Sequence, residues 1–234
     1  EVVRWYEGFF FDMESNMARL KRSMKELRIT WPEADSFPAL AEKLIRKNEL
    51  TDKPSLVYLQ VTRGAAKRSH AFPPDGTEPT IFANAWSFNP AKEKIGDGIT
   101  TILRKDPRWN RCDIKTIALL PNILSFQEAR ENDCHECIFS RDGIITECCH
   151  SNVFFVLDGV LRTHPESELI LSGITRKIVI RIAQDEGIQF REEAVSEDQL
   201  SRVSEAFVTN TSFEIGPVIS INDKKTGEGI PGPV

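Results

Sequence analysis

The hydrophobic pattern of the first ninety residues predicts a hairpin, two helices and two strands. The apolar runs "VVRWY" and "FFFD" flank Glu7-Gly8, a pair suited to a tight turn. Helical spacing comes next, in the apolar residues Met17, Leu20, Met24 and Leu27. A second helix is predicted to begin at Asp35 or Ser36. Its inward-facing residues are predicted to be Leu40, Leu44 and Ile45. The runs "SLVYLQVTRG" and "TIFANAWSF" then have the composition of strands.

After residue 90 the pattern predicts a strand in "GITTILRKD" and a helix over residues 123–130. Two strand pairs follow, turned by Asp142-Gly143 and by Asp158-Gly159. A helix is predicted after Gly173 and should end at Gly187, which suits a C-cap. Its shared apolar face is predicted to consist of Ile174, Ile178 and Ile182. The chain returns to strand in "EAFVTNTSFEIGPVISI".

Helices and strands are mixed in both halves, so the predicted fold class is α+β. Asn89-Pro90, followed by the charged stretch "AKEK", is the best candidate for a linker. We therefore predict a small N-terminal α/β domain, residues 1–89, and a larger domain, residues 90–234. Both are expected to be truncated at their outer ends, because "EVVRWY" reads as a strand already under way and "GEGIPGPV" stops at a turn.

Charge and composition narrow the classes of function. The formal net charge is −5, which argues against nucleic acid as a partner, since phosphate binding requires a basic face. A membrane span is not predicted either, because the longest apolar stretch, "NVFFVLDGVL", is interrupted by Asp158 and Gly159. The five cysteines are an odd number in a chain that does not need disulfide staples, which indicates a reducing cytoplasm.

Four of those cysteines lie in the stretch "CHECIFSRDGIITECCHSN" and suggest a zinc or redox site. They are Cys134, Cys137, Cys148 and Cys149. In a strand, however, Cys148 and Cys149 would point to opposite faces and could not easily bind one ion. Free cysteine is also among the residue types most often buried. We favour ordinary packing and predict no metal.

The same alternation places Ile145, Glu147 and Cys149 on one face of the predicted strand. A carboxylate between an isoleucine and a cysteine is costly to bury unless a cation or a hydrogen-bond donor meets it. From its local setting alone, Glu147 fits a solvated strand end. Its role depends on the motifs that accompany it.

Those motifs resemble one family of enzymes along nearly the whole chain. "CDIKTIALLPN", "TECCHSNVFFV", "LILSGITRKIV" and "AFVTNTSFEI" occur in the order found in the fold-type IV pyridoxal-phosphate enzymes. "ESNMARLKRS" and "VTRGAAKRSHAF" are similar to the D-amino acid aminotransferases. The resemblance implies a two-domain architecture with pyridoxal 5′-phosphate at the domain interface.

In this family Lys115 would be the lysine that bonds to the cofactor, and Glu147 the carboxylate that pairs with the pyridine nitrogen. An amine attacks the cofactor aldehyde only when deprotonated, and later it can move a proton at the substrate α-carbon. A carboxylate beside the ring nitrogen keeps it protonated, so that the ring accepts electrons. Without the resemblance, Lys115 would be taken for a solvated lysine.

The resemblance also assigns the remaining contacts to the cofactor. Arg19 and Thr211 would bind its phosphate, with Asn210 beside Thr211, and Leu171 would pack on the ring. The backbone N–H groups of Ile174 and Thr175 would lie at a helix N-terminus, which attracts anions. Each of these has a plainer interpretation, as a surface arginine, a core leucine or an ordinary helix start.

Substrate recognition is assigned to Arg68 and His70, which would hold the α-carboxylate from the partner subunit of a homodimer. An arginine can grip a carboxylate with two parallel hydrogen bonds, and a histidine adds a third donor. Val2, Cys149 and His150 would also contact substrate. Cys148, Cys149 and His150 depart from the family, which usually carries small hydroxyl residues there.

The predicted activity is therefore amino-group transfer between D-amino acids and 2-oxo acids. Alternatives with the same fold are a branched-chain L-amino acid aminotransferase and an aminodeoxychorismate lyase. The alternative from a different class is the zinc or redox module described above.

Overall fold

A computed structural model describes residues 1–89 and 96–234 of the 234-residue chain. The chain divides into two compact units, Glu1–Asn89 and Pro90–Val234. The stretch "AKEK", which we predicted to be a linker, lies outside the described residues. Among the helices described, none is both long enough and apolar enough to cross a membrane.

The first unit is a four-stranded antiparallel sheet covered by two helices. Strand order is β2-β1-β3-β4. The strands are β1 (Val2–Tyr6), β2 (Phe9–Phe10), β3 (Ser55–Thr62) and β4 (Thr80–Ser87). Helix α1 spans Met13–Glu26, and a 3-10 turn over Pro32–Ser36 leads into α2, Phe37–Lys47. The predicted hairpin and both predicted helices are confirmed.

The core of this unit lies between the sheet and the two helices. Met17, Leu20 and Met24 of α1 are buried in it, as their spacing predicts. The prediction for α2 was right for Ile45, which is buried, and for Leu44, which is partly buried against the core, but wrong for Leu40, which is exposed. The buried face of α2 is Phe37, Ala41 and Ile45, with Leu44 beside it, and this is the i, i+4, i+7, i+8 spacing of one helical face.

The second unit contains a mixed nine-stranded sheet. The main path runs β10-β9-β8-β11-β12-β5-β6-β7, and β13 pairs with β12. Strands β5 and β12, β5 and β6, and β9 and β10 are parallel pairs, whereas the other pairs are antiparallel. The strands are β5 (Ile99–Lys105), β6 (Glu136–Arg141), β7 (Ile144–Cys148), β8 (Asn152–Leu157), β9 (Val160–Thr163), β10 (Phe190–Glu192), β11 (Val203–Asn210), β12 (Glu214–Ile221) and β13 (Lys224–Lys225).

Helices α3 (Leu120–Glu131) and α4 (Ile174–Asp185) also belong to this unit. Helix α4 ends as predicted: Gly187 has φ +70°, and Ile188 N–H donates to the carbonyl of Ala183 at 2.8 Å. Its predicted apolar face was partly wrong, because Ile182 is exposed. Instead, Val179 and Ala183 are buried against the sheet.

Strand β7 contains a bulge that corrects the predicted alternation. Ile145 is paired with Ser140 and Cys148 with Ile138, so three steps on β7 match two on β6. The extra residue places Ile145 and Cys148 in the same core cluster, whereas Cys149 packs in another. Ile145 and Cys149 therefore do not share a face, although Cys148 and Cys149 do point to different clusters, as predicted.

Candidate functional site

Glu147 is the buried carboxylate around which the candidate site is built. Arg108 Nη1 donates to its Oε1 at 2.5 Å. Its Oε2 accepts from Asn152 Nδ2 at 2.9 Å and from the backbone N–H of Leu171 at 3.0 Å. The structure thus supplies the cation and the donors that a buried carboxylate requires.

Arg108 is fixed in turn by a second carboxylate. Its Nε and Nη2 donate to Asp106 at 2.9 and 3.0 Å, and Nη2 also reaches the carbonyl of Leu169 at 3.3 Å. Arg141 Nη2 lies 3.1 Å from Asp106 Oδ2, which also accepts from Arg108. The four charged groups alternate in sign, so they balance one another without a further ion.

Burial raises the pKa of Glu147 to about 7, although the charge and hydrogen bond of Arg108 and the N–H of Leu171 oppose the shift. Burial likewise acts to raise the pKa of Asp106. For Asp106, however, the hydrogen bonds and charge of Arg108 outweigh burial and keep its pKa below the ordinary value. The two carboxylates that share Arg108 therefore have different proton affinities.

Glu136 is a second buried carboxylate, and its oxygens are fully engaged. Oε1 accepts from Cys137 N–H at 2.9 Å and from the Cys149 thiol at 2.6 Å. Oε2 accepts from the Ser151 hydroxyl at 2.8 Å and lies 2.8 Å from His150 Nδ1. Four donors fill the roughly four lone-pair sites that a carboxylate offers.

His150 is held by Glu136 at the edge of the site. Its side chain is 46% exposed, and Phe126 meets its ring edge-on at 5.0 Å. Burial lowers the pKa of His150, but the carboxylate of Glu136 raises it overall, while the charge of Lys115 acts in the opposite direction. The imidazole therefore lies within electrostatic reach of Lys115.

The four cysteines of the zinc alternative are not gathered at one point. All five cysteines are free and buried. Within residues 1–89 and 96–234, one group of three side chains could hold a metal ion, because its ligand atoms all lie within 4.8 Å of one another. This group is Glu136, Cys149 and His150. Burial raises the pKa of Cys137 to about 12 and also raises that of Cys149. Metal binding requires thiolates, so the environment disfavours it.

Lys115 follows a segment that is anchored to the loop before α4. Cys112 N–H donates to the carbonyl of Glu168 at 2.8 Å, and Ile114 is buried. Asp113 holds Arg111 with two hydrogen bonds of 3.0 and 3.2 Å. Lys115 itself is half-buried. The segment that leads to Lys115 is therefore tied, through Cys112, to the loop whose residue Leu171 donates to Glu147.

The N-terminus of α4 is joined to Glu147 through Asn152. The amide of Asn152 donates both to Glu147 and, at 2.9 Å, to the carbonyl of Leu171. Gly173 lies so close that a Cβ there would come 2.0 Å from Asn152 Oδ1, so a side chain at this position is excluded. Ile174 and Thr175 open the helix immediately afterwards, and the Thr175 hydroxyl donates to the carbonyl of Asn210 at 3.2 Å.

Asn210 and Thr211 lie where β11 turns into β12. Asn210 Oδ1 accepts from the N–H groups of Ser212 and Phe213 at 2.8 and 3.0 Å. Its Nδ2 donates to Ser151 Oγ at 3.0 Å, so Asn210 also supports the Glu136 cluster. Thr209 is buried, and its hydroxyl has no hydrogen-bond partner in the part of the chain that the structure describes.

The other predicted site residues belong to the first unit. Arg19 is nearly buried and forms a two-pronged pair with Glu1, at 3.0 and 2.8 Å. Val2 opens β1 opposite Tyr58. Arg68 and His70 are exposed in the loop between β3 and β4.

Comparisons with known proteins identify the family. The family described as amino-transferase class IV matches residues 1–221. The chain belongs to this family. D-alanine aminotransferase of Bacillus licheniformis is 38% identical over 236 residues, which covers 100% of this chain and 82% of that protein. D-alanine aminotransferase of Staphylococcus haemolyticus is 35% identical over 235 residues, with 100% and 83% covered.

Solved structures of class IV aminotransferases share the fold. Branched-chain amino acid aminotransferase from Escherichia coli superposes with a TM-score of 0.85 at 30% identity, covering 100% of this chain and 79% of that one. A branched-chain amino acid aminotransferase from T.th., solved with pyridoxamine 5′-phosphate, gives a TM-score of 0.91 at 26% identity, again with 100% and 79% covered. The predicted α+β fold and its family are confirmed.

Four residues of the candidate site were not predicted from the sequence. Arg108 and Asn152 hold Glu147, Asp106 holds Arg108, and Glu136 holds His150. Asp106 and Arg108 carried a usable signal, because opposite charges two residues apart directly after an apolar strand suggest a buried pair. Glu136 and Asn152 carried no such signal, because their hydrogen-bond partners come close only in the folded sheet.

Proposed function

We propose that this class IV aminotransferase moves amino groups between D-amino acids and 2-oxo acids, with pyridoxal 5′-phosphate held at Lys115. The D-alanine aminotransferases named above support the choice of substrate, since they are 35–38% identical over the whole chain. The branched-chain enzymes that share the fold are 26–30% identical.

The observation that carries the proposal is the free capacity of Glu147. Its carboxylate offers about four lone-pair sites. Within residues 1–89 and 96–234, three donors occupy these sites: Arg108, Asn152 and the N–H of Leu171. Glu147 can therefore accept one more donor, and a protonated pyridine nitrogen is such a donor. Glu136 is saturated by four donors and cannot take this role.

The residues present also suit the phosphate end of the cofactor. The first N–H groups of a helix attract anions, and α4 begins beside Asn152, whose amide already contacts Glu147. One short segment, residues 171–175, thus offers a donor to Glu147 at its start and a helix N-terminus at its end. The remaining residues proposed to bind the cofactor are Arg19, Asn210, Thr211 and Leu171, the last by packing on the ring.

When bound, pyridoxal phosphate supplies a carbonyl that takes up the amino group and an electron-poor ring that draws charge from the α-carbon. Lys115 would hold the cofactor covalently and then, as a free amine, remove and return the α-proton. Glu147 would keep the ring nitrogen protonated. Arg108 and Asn152 would fix Glu147 in place, which is the preorganisation that such charge stabilisation requires.

Specificity for D-amino acids is assigned to Arg68 and His70, acting on the α-carboxylate in the partner subunit's site. Both side chains are exposed, so a substrate bound in the partner subunit could reach them. Val2, Cys149 and His150 are proposed to contact the remainder of the substrate.

A homodimer is supported by an exposed apolar surface that begins just after Lys115. Leu120 and Leu124 of α3 are 74% and 69% exposed. The exposed apolar residues of this surface are Ile117, Leu119, Leu120, Ile123, Leu124 and Phe126. Soluble proteins rarely leave such a patch bare, and a second copy of the chain would bury it. The free cysteines fit the proposed cytoplasmic location.

The proposal is tested by turnover of a panel of D- and L-amino acids with 2-oxoglutarate. D-alanine should be a substrate and L-leucine should not. Turnover of branched-chain L-amino acids alone would favour the branched-chain alternative. Release of pyruvate from aminodeoxychorismate would favour the lyase.

A further inference from the structure

The loop that carries Arg68 and His70, residues 63–79, is fixed at its base. Thr62 and Thr80 are partners in the β3–β4 ladder. Gly64 has φ +90°, and a Cβ there would come 1.9 Å from the carbonyl oxygen of Glu78, so the two limbs of the loop touch. On the returning limb, the N–H and hydroxyl of Thr77 donate to the carbonyl of Pro74 at 3.2 and 2.7 Å.

Phe72 connects the middle of this loop to the end of α1. The guanidinium of Arg63 lies over its ring, with Cζ 3.8 Å from the centroid, and the guanidinium of Arg28 lies at 5.7 Å. Arg63 Nη1 also donates to the carbonyl of Arg28 at 3.1 Å. A cation over the face of an aromatic ring is attracted by its quadrupole. The ring is therefore held by two cations and not by burial.

Phe82 on β4 shows what an exposed phenylalanine looks like without such contacts. Both Phe72 and Phe82 are 54% exposed. The ring of Phe82 has Tyr58 as its aromatic neighbour, at 6.2 Å. Among the residues that the structure describes, no guanidinium lies over Phe82. The two side chains match in type and exposure and differ in the cations that hold them.

We propose that Phe72 is a positioning residue. Clamped between Arg63 and Arg28, it holds residues 65–71 in the conformation that presents Arg68 and His70 to the substrate carboxylate. This inference rests on the proposed function, in which Arg68 and His70 of the loop bind the substrate carboxylate. Within residues 65–71, the hydrogen bond that the structure describes is the one from Ala71 N–H to Ser69 Oγ, at 3.1 Å.

The first test measures the order of the loop and does not depend on activity. Trypsin cleaves after Lys67 and Arg68, and it cleaves faster when the loop opens. Phe72→Ala should shift the opening equilibrium of the loop by about fivefold, the factor expected from loss of one exposed cation–π contact, and so raise the cleavage rate at these sites about twofold. Phe82→Ala should leave the rate unchanged, and Phe72→Trp should restore it. Equal rates in the Phe72→Ala and wild-type proteins would overturn the clamp.

The second test measures the Michaelis constant for D-alanine in the holoenzyme. Phe72→Ala should raise it by about twofold with little change in kcat, since the same shift in the opening equilibrium leaves a smaller fraction of the loops competent to bind. In a background that carries both Arg68→Ala and His70→Ala the same substitution should add nothing, because Phe72 acts through these two side chains. An equal increase in both backgrounds would overturn the inference. If Arg68→Ala alone has no effect, the proposed role of Arg68 fails instead, and the trypsin result still decides whether the clamp exists.

Discussion

Arg108 and Glu147 form a buried ion pair, with Nη1 2.5 Å from Oε1 and both side chains 6% exposed. Asp106 holds the same arginine from the other side, so one cation orders two carboxylates. Within the second unit, the position of Glu147 therefore depends on residues of the segment that follows β5.

Replacing Arg108 should destabilise the protein strongly, because two buried carboxylates lose their cation. Arg108→Ala is expected to lower the free energy of unfolding by about 3–5 kcal/mol at pH 8, where Glu147 is ionised. Urea unfolding measures it. Arg46→Ala is the control, because Arg46 pairs with Glu42 on the exposed face of α2, and its loss should cost no more than about 0.5 kcal/mol. Similar values for the two variants would contradict the buried network.

The ionisation of Glu147 should be visible in the stability of the cofactor-free protein. Its pKa is raised from the ordinary value of 4.5 to about 7, so the folded state binds this proton more tightly than the unfolded chain does. The resulting stability is fully present below pH 4.5 and is lost as pH rises through 7. Relative to Glu147→Gln, the wild type should lose roughly 3 kcal/mol over this range. A difference that instead grows with pH would show that the pKa is lowered.

The same substitution tests the chemical role of Glu147. Glutamine keeps the shape but cannot keep the pyridine nitrogen protonated. Loss of α-deuterium from labelled D-alanine should slow by about 10²-fold or more, since electrostatic stabilisation contributes most to the rate of such steps. Cofactor should remain bound, as its absorbance would show. An unchanged exchange rate would remove Glu147 from the mechanism.

Two defective subunits should complement each other at low D-substrate concentration, because Arg68 and His70 are proposed to act across the dimer. Arg68→Ala should raise the Michaelis constant for D-substrates by roughly one to two decades, because a charge-assisted bond is worth about 1.5–3 kcal/mol. In a mixed dimer with Lys115→Ala, the site on the Arg68→Ala chain keeps its own lysine and receives Arg68 from the other chain. That site should work. If subunit exchange is confirmed and activity does not return, Arg68 does not act across the interface.

The sequence predicted the elements well, because turns such as Asp142-Gly143 and caps such as Gly187 depend on local conformational preferences. The bulge in β7 was not predicted: it moved Ile145 to the side of Cys148 and leaves no mark in the hydrophobic pattern. In α2, Leu40 was wrongly placed in the core, although Phe37, Ala41, Leu44 and Ile45 have the spacing of one helical face.

For the site, the motifs located Lys115 and Glu147 through resemblance, but they did not show what holds them. Arg108 reaches Glu147 from 39 positions away in the chain, and the donors to Glu136 come from both β6 and the turn after β7. Such pairings follow from strand register, which a single sequence does not specify.

The central claim is that Lys115 and Glu147 form the site of a D-specific aminotransferase, and one half-reaction tests it most directly. The purified protein, loaded with pyridoxal phosphate, is mixed with D-alanine or L-alanine without a 2-oxo acid, and its absorbance spectrum is recorded. We predict conversion to pyridoxamine phosphate with D-alanine, none with L-alanine, and none with D-alanine in Lys115→Ala. Conversion by L-amino acids but not by D-alanine, or conversion by the Lys115→Ala variant at the wild-type rate, would contradict the account.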